Sequence, residues 1–247
     1  MATFVLVHGG WAGAVVWRQL APRLRKAGHE VYAPTLTGIG ERKHLLSREI
    51  GLETHIQDVI GVVEDEDLSD IVLVGHSYGG MVISGVADRV PERIASLVYL
   101  DAFVPENGQS LFSLLPPDRH LAIVPGEDWL VAPITSASFG LERPEVIALW
   151  EGKSAPQPLV TFTQPVQLTG GIGRVKHKMY ILATDPAAGC HRARRSPPSG
   201  NGQQRARSLR YQTTRWQQRP AARGRPVPRR CVGQSASSIL SYFWRWQ

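Results

Sequence analysis

Short unbroken apolar runs alternate, over the first two-thirds of the chain, with stretches whose apolar residues recur at helical spacing. Phe4 to Val7 and Ile71 to Val74 are continuous apolar runs bounded by glycine, the pattern of strands buried on both faces. Ala95 to Leu100 and Met179 to Ala183 read as two further strands, and Glu30 to Ala33 as a short one. Val16 to Lys26, closed by Gly28, reads as a helix with Leu20 and Leu24 on its apolar face, and Met81 to Ala87 as a buried helix. Strands alternating with helices predict an α/β domain: a mostly parallel sheet with helices on both faces.

From Pro105 to about Gln167 the alternation stops. Prolines recur and no strand run stands out, so a helical cap inserted over the sheet, at about 105–167, is expected there. A second change follows Gly189. Residues 1–185 hold 21 acidic and 15 basic side chains, whereas 186–247 hold 13 arginines and neither acid nor lysine. The net charge of +7 therefore describes the tail and not the body, and gives no ground for a nucleic-acid partner of the whole protein. The expected organisation is a domain over 3–189 and an Arg-rich tail over 190–247.

Three origins for the tail compete: out-of-frame translation, a disordered basic tail, or a folded nucleic-acid module. The first is favoured, because the change falls inside a recognisable fold and not at a domain boundary. A final strand and helix are then missing or replaced, which would bare the edge of the strand at Met179 to Ala183 and favour association. Both cysteines, Cys190 and Cys231, lie in the tail, so no disulfide framework is implied. No apolar segment has the length of a membrane span, and a cytoplasmic location is expected.

The strand at Ile71 to Val74 runs into Gly75-His76-Ser77-Tyr78-Gly79-Gly80. Gly-x-Ser-x-Gly between a strand and a helix is the pattern that lifts a serine onto a sharp turn, where its hydroxyl can attack an acyl carbon. Ser77 is the expected nucleophile. The Tyr78 N–H, at the start of the following helix, is one expected oxyanion donor; the other is the Gly10 N–H in His8-Gly9-Gly10-Trp11. His8 is expected to brace that loop. The acid should sit at the carboxyl end of a later strand: Asp185 is preferred and Asp101 is the alternative.

Taken together, Phe4 to Gly10, Pro34 to Arg42, the Gly75 to Gly80 turn, Leu100 to Pro105 and the strand ending at Asp185 resemble the α/β-hydrolase superfamily. The closer resemblance is to its bacterial carboxylesterases related to plant methylesterases and hydroxynitrile lyases, over about residues 3–189. The resemblance implies a Ser-His-Asp triad, no cofactor, no metal, and small or aromatic ester substrates taken up beneath a cap. Pyrethroid-type esters are among the substrates of similar enzymes. Lyase members carry a threonine in the first oxyanion loop; here that loop reads Gly9-Gly10-Trp11-Ala12-Gly13, so hydrolysis is the better expectation.

One departure stands out. The family places its base in a Gly-His-Asp context about 25 residues beyond the acid, and this chain has none. His191 follows Asp185 too closely, His76 should point away from Ser77, His120 lies in the expected cap and His177 precedes its strand. Losing a triad histidine costs on the order of a millionfold in turnover, so this chain is expected to be impaired. A catalytically dead pseudo-hydrolase that binds a small ligand is the rival expectation. Nucleic acid is expected to bind only non-specifically, through the tail.

Overall fold

A computed structural model of the chain describes residues 1–115, 123–124, 127–138, 141–182 and 213–215. Nine strands and six α-helices are placed among them. The strands are β1 (Thr3–Val7), β2 (Glu30–Tyr32), β3 (Ile71–His76), β4 (Ile94–Leu100), β5 (Ile123–Val124), β6 (Glu127–Val131), β7 (Gln157–Pro158), β8 (His177–Ile181) and β9 (Thr213–Arg215). The helices are α1 (Leu20–Lys26), α2 (Leu52–Asp65), α3 (Gly79–Arg89), α4 (Leu111–Leu114), α5 (Pro144–Lys153) and α6 (Val160–Thr163).

The main sheet runs β2-β1-β3-β4-β8-β9; its first five strands are parallel and β9 is antiparallel. Period-two alternation sorts the strand residues onto two cores. Val5, Val7, Ile71, Leu73, Leu97 and Tyr99 pack with Ile56, Val59 and Val63 of α2 and with Met81, Val82 and Val86 of α3. Phe4, Leu6, Val72, Val74, Val98 and Leu100 pack on the other face with Trp17 and with Leu20 and Leu24 of α1. Burial on both faces is why these strands read as unbroken apolar runs.

The helix expected over Val16 to Lys26 is split. A 3-10 turn covers Ala14–Trp17 and α1 begins only at Leu20. Pro22 explains the break: it lacks an N–H and is tolerated in the first turn of a helix, but in the interior of one started at Val16 it would clash with the preceding turn. Gly28, with φ 86°, ends α1 in the left-handed region, donating to Arg25 O at 2.9 Å.

The excursion over 105–167 contains α4, α5 and α6. It also holds a small antiparallel sheet, β5-β6-β7, that the sequence reading did not anticipate. Two of these strands are two residues long, too short for an alternating pattern to register. The edge of β8 expected to be bare carries β9, with Met179 opposite Arg215 and Ile181 opposite Thr213.

Candidate active site

At the carboxyl end of β3 the chain turns sharply into α3, and Ser77 sits at the corner with φ 52°. A non-glycine residue in the left-handed region is uncommon and costs on the order of 1–3 kcal/mol, so it persists only where its neighbours hold it. Here the glycines do so by letting backbones touch. A β-carbon on Gly75 would stand 2.6 Å from the Gly79 carbonyl oxygen, and one on Gly79 would stand 2.7 Å from His8 O and 2.8 Å from Val7 O. One on Gly80 would collide with the Phe103 carbonyl oxygen. The Ser77 carbonyl accepts from Gly80 N at 3.0 Å and from Phe103 N at 3.1 Å, tying the turn to the segment after β4.

The loop after β1 lies directly against this corner: a β-carbon on Gly9 would be 3.1 Å from Ser77 Cβ. Ser77 is half-buried, and the Tyr78 N–H begins the eleven-residue α3. The expected nucleophile and the two segments bearing the expected oxyanion donors, Gly10 and Tyr78, are therefore brought together. The helix amino terminus adds a field that favours a developing negative charge.

His8 is fully buried. Its Nδ1 donates to Gly9 O at 2.7 Å and its Nε2 accepts from Leu36 N at 3.0 Å, which braces two loops as expected. His55, on α2, is likewise saturated: Nε2 donates to Thr37 O at 3.0 Å and Nδ1 accepts from the Tyr78 hydroxyl at 2.8 Å. Burial pushes both imidazoles down to about 4, so both are neutral at pH 7. Burial also pushes the Tyr78 phenol well above its ordinary range. The Pro34 to Arg42 loop is fastened to α2 by Asp58, which accepts from Thr37 N at 2.6 Å, Thr37 Oγ1 at 2.7 Å and Arg42 Nη1 at 3.2 Å.

His76 packs edge-on against Trp17, ring centres 6.3 Å apart, on the α1 side of the sheet. His177 opens β8 opposite Ser96 and is exposed. Ser96 lies four residues before the carboxyl end of β4, about 13 Å along the strand, so His177 is at the wrong end of the sheet for Ser77. Among the described residues no side chain is hydrogen-bonded to the Ser77 hydroxyl. Asp101 has φ 44° and is buried, its N–H donating to Ile181 O at 2.7 Å at the carboxyl ends of β4 and β8. Asp185, His120 and His191 lie outside the described residues.

Aromatic side chains crowd the loop after β1. Phe162 of α6 has its ring centre 5.3 Å from Trp11, 5.4 Å from Tyr78 and 6.2 Å from Phe112. A β-carbon on Gly10 would meet Phe162 at 3.6 Å. Nothing in the sequence marks this cluster in advance. Phe162 is 85 residues from Ser77, and a lone phenylalanine in an irregular stretch carries no signal of its own. Among the described residues no group of three or more His, Cys, Asp or Glu side chains could hold a metal ion, and no helix is long and apolar enough to cross a membrane.

The sequence pattern of the alpha/beta hydrolase family matches residues 4–236. The chain belongs to the α/β-hydrolase family. Within it the chain is 48% identical over 196 residues to a carbendazim hydrolyzing esterase of Nocardioides sp. (strain SG-4G), covering 74% of this chain and 80% of that one. It is 30% identical over 148 residues to salicylic acid-binding protein 2 of Nicotiana tabacum, covering 56% of each. The solved structure of an extracellular alpha/beta-hydrolase from a Paenibacillus species superposes with a TM-score of 0.63 at 28% identity, covering 73% of this chain and 76% of that one. This α/β-hydrolase is thus a carboxylesterase-type enzyme of the bacterial branch related to plant methylesterases.

Proposed function

We propose that this hydrolase cleaves small or aromatic carboxylic esters through an acyl-enzyme on Ser77. The observation that carries this reading is the left-handed backbone of Ser77 at the strand-to-helix corner with the Gly9 backbone against its side chain. In the proposed reaction Ser77 Oγ adds to the acyl carbon, and the Gly10 and Tyr78 N–H groups receive the oxyanion. The Ser77 proton passes through solvent to the departing oxygen, which leaves as the alcohol, and water then hydrolyses the acyl-enzyme to the acid and free Ser77. Asp185 is the proposed acid of the triad, in preference to Asp101 at the end of β4. Phe112, Phe162 and Trp11 beside Gly10 favour an apolar or aromatic group on the substrate.

The chain has no histidine in the context the family uses for its base, so turnover is proposed to be strongly impaired. Ser77 keeps its place at the corner and should still be trapped, slowly, by a reactive phosphonate. A fluorophosphonate probe is expected to label the full chain at Ser77, located by peptide mass spectrometry, and not to label Ser77→Ala. Labelling that persists in Ser77→Ala would refute the assignment. Turnover of p-nitrophenyl acetate at the rate of an intact triad enzyme, lost in Ser77→Ala, would refute the impairment.

A pseudo-hydrolase that keeps the ligand pocket is the second reading, favoured by the same missing base. Its tail of thirteen arginines would adhere to anionic polymers in a salt-sensitive way. Hydroxynitrile lyase chemistry is disfavoured by Gly9-Gly10-Trp11-Ala12-Gly13, which lacks the threonine. A cytoplasmic location is proposed from the cysteine-free body.

A further inference from the structure

Trp11 holds a backbone conformation that aromatic residues rarely adopt, with φ 66°. Like Ser77, it needs neighbours that over-determine it, and these come from the 105–167 excursion. The Trp11 N–H donates to Gln157 Oε1 at 2.8 Å, the Ala155 N–H donates to Trp11 O at 3.0 Å, and Trp11 Nε1–H donates to Val131 O at 3.2 Å.

Gln157 is fully buried and its amide can face only one way. Nε2 donates to Thr161 Oγ1 at 2.7 Å, and the Thr161 hydroxyl spends its own proton on Pro158 O at 2.7 Å. With Thr161 fixed as the acceptor, Gln157 must present Nε2 to it and Oε1 to Trp11. That oxygen would also lie 3.5 Å from a β-carbon on Gly10, so it sits beside the proposed oxyanion donor. Trp11 N and Gly10 C belong to one peptide plane, which the Gln157 bond orients, and that plane adjoins at the Gly10 α-carbon the one that carries the Gly10 N–H.

We propose that Gln157 and Thr161 are positioning residues for the oxyanion hole: they touch no reacting atom, but clamp the Gly9 to Trp11 loop against Ser77 from the excursion. The proposal rests on the Ser77 esterase reading, and its test separates the two. A loop displaced by 1 Å forfeits about a hundredfold in rate, and phosphonylation develops charge on an oxygen in the same hole.

The full chain, Gln157→Leu, Thr161→Val, Thr161→Ser and Ser77→Ala are compared in two measurements. Fluorophosphonate labelling of Ser77 is expected to slow at least ~10-fold in its maximal rate for Gln157→Leu and Thr161→Val, with the half-saturating probe concentration within about twofold. Thr161→Ser, which keeps the hydroxyl, should label within about threefold of the parent. Hydrogen exchange read by mass spectrometry over residues 9–13 should quicken at least ~10-fold in Gln157→Leu and stay at the parent rate in Ser77→Ala. Unchanged exchange in Gln157→Leu overturns the clamp. Faster exchange with unchanged labelling overturns its role in positioning, as does failure of Thr161→Ser to rescue. A parent chain that the probe does not label at Ser77 sinks the esterase reading and the positioning role with it, while the exchange result alone would then report a loop contact.

Discussion

Gly75 and Gly79 meet backbone to backbone: a β-carbon on the first would lie 2.6 Å from the carbonyl oxygen of the second, in the space where β3 gives way to α3. Neither partner has a flexible side chain that could yield. Gly75→Ala is therefore expected to push strand and helix apart and cost about 1–3 kcal/mol. The check is a denaturant titration of the variant against the parent.

Gly61 makes the opposite case. It lies inside α2, and a β-carbon there would meet nothing within 4 Å. Gly61→Ala should remove the conformational freedom that glycine retains in the unfolded chain and stabilise the protein by up to about 1 kcal/mol. A melting temperature below that of the parent would contradict the open surface at this position.

Stability should fall on mild acidification. His8 and His55 have pKa values lowered from 6.5 to about 4 by burial, against the opposing pull of their backbone hydrogen bonds to Gly9 and Thr37. Above pH 6.5 both are neutral folded or unfolded, so the pH dependence vanishes there. As pH drops from 6.5 toward 4 the unfolded chain takes up protons that the folded one refuses. Each histidine then removes about 1.4 kcal/mol per pH unit. His55→Asn should halve the slope of unfolding free energy against pH between 6.5 and 5, whatever it does to absolute stability. An unchanged slope would mean that His55 titrates freely.

Asp88 holds the 3-10 turn Gly171–Arg174 to α3. Its carboxylate accepts from Thr169 N at 2.5 Å, Thr169 Oγ1 at 2.9 Å, Gly170 N at 3.0 Å and Ile172 N at 3.0 Å. Burial opposes its ionisation, but these donors outweigh it and lower its pKa. That stabilisation is present above the unfolded carboxylate pKa and is lost as pH falls through the folded one. Asp88→Ala should cost about 2–3 kcal/mol, and hydrogen exchange should rise over residues 169–174 first.

The strands at Phe4, Ile71 and Ala95 were legible because a strand buried on both faces has to be apolar throughout. The Ser77 corner was legible because its glycines are forced by backbone contact. The helix α2 went unread although Leu52, Ile56, Val59, Ile60 and Val63 all face the core. Its spacing is helical, but Gly61 and the glycine at its amino end blur it. Gln157 could not have been found: its partner Trp11 is 146 residues away, and an isolated glutamine carries no pattern. The small strands of the excursion were illegible because Gln157–Pro158 is held by one partner strand and by the Trp11 loop, not by any alternation of its own.

The reversed direction of β9 bears on how the molecule meets its neighbours. A parallel sheet grows by adding strands through crossovers, and its last member normally offers a row of unsatisfied amides to any passing chain. Here three residues running the other way occupy that row beside Met179 to Ile181, and the opposite margin, β2, is itself only three residues long. Among the described residues both rims are short, which disfavours either as a seam for a second copy.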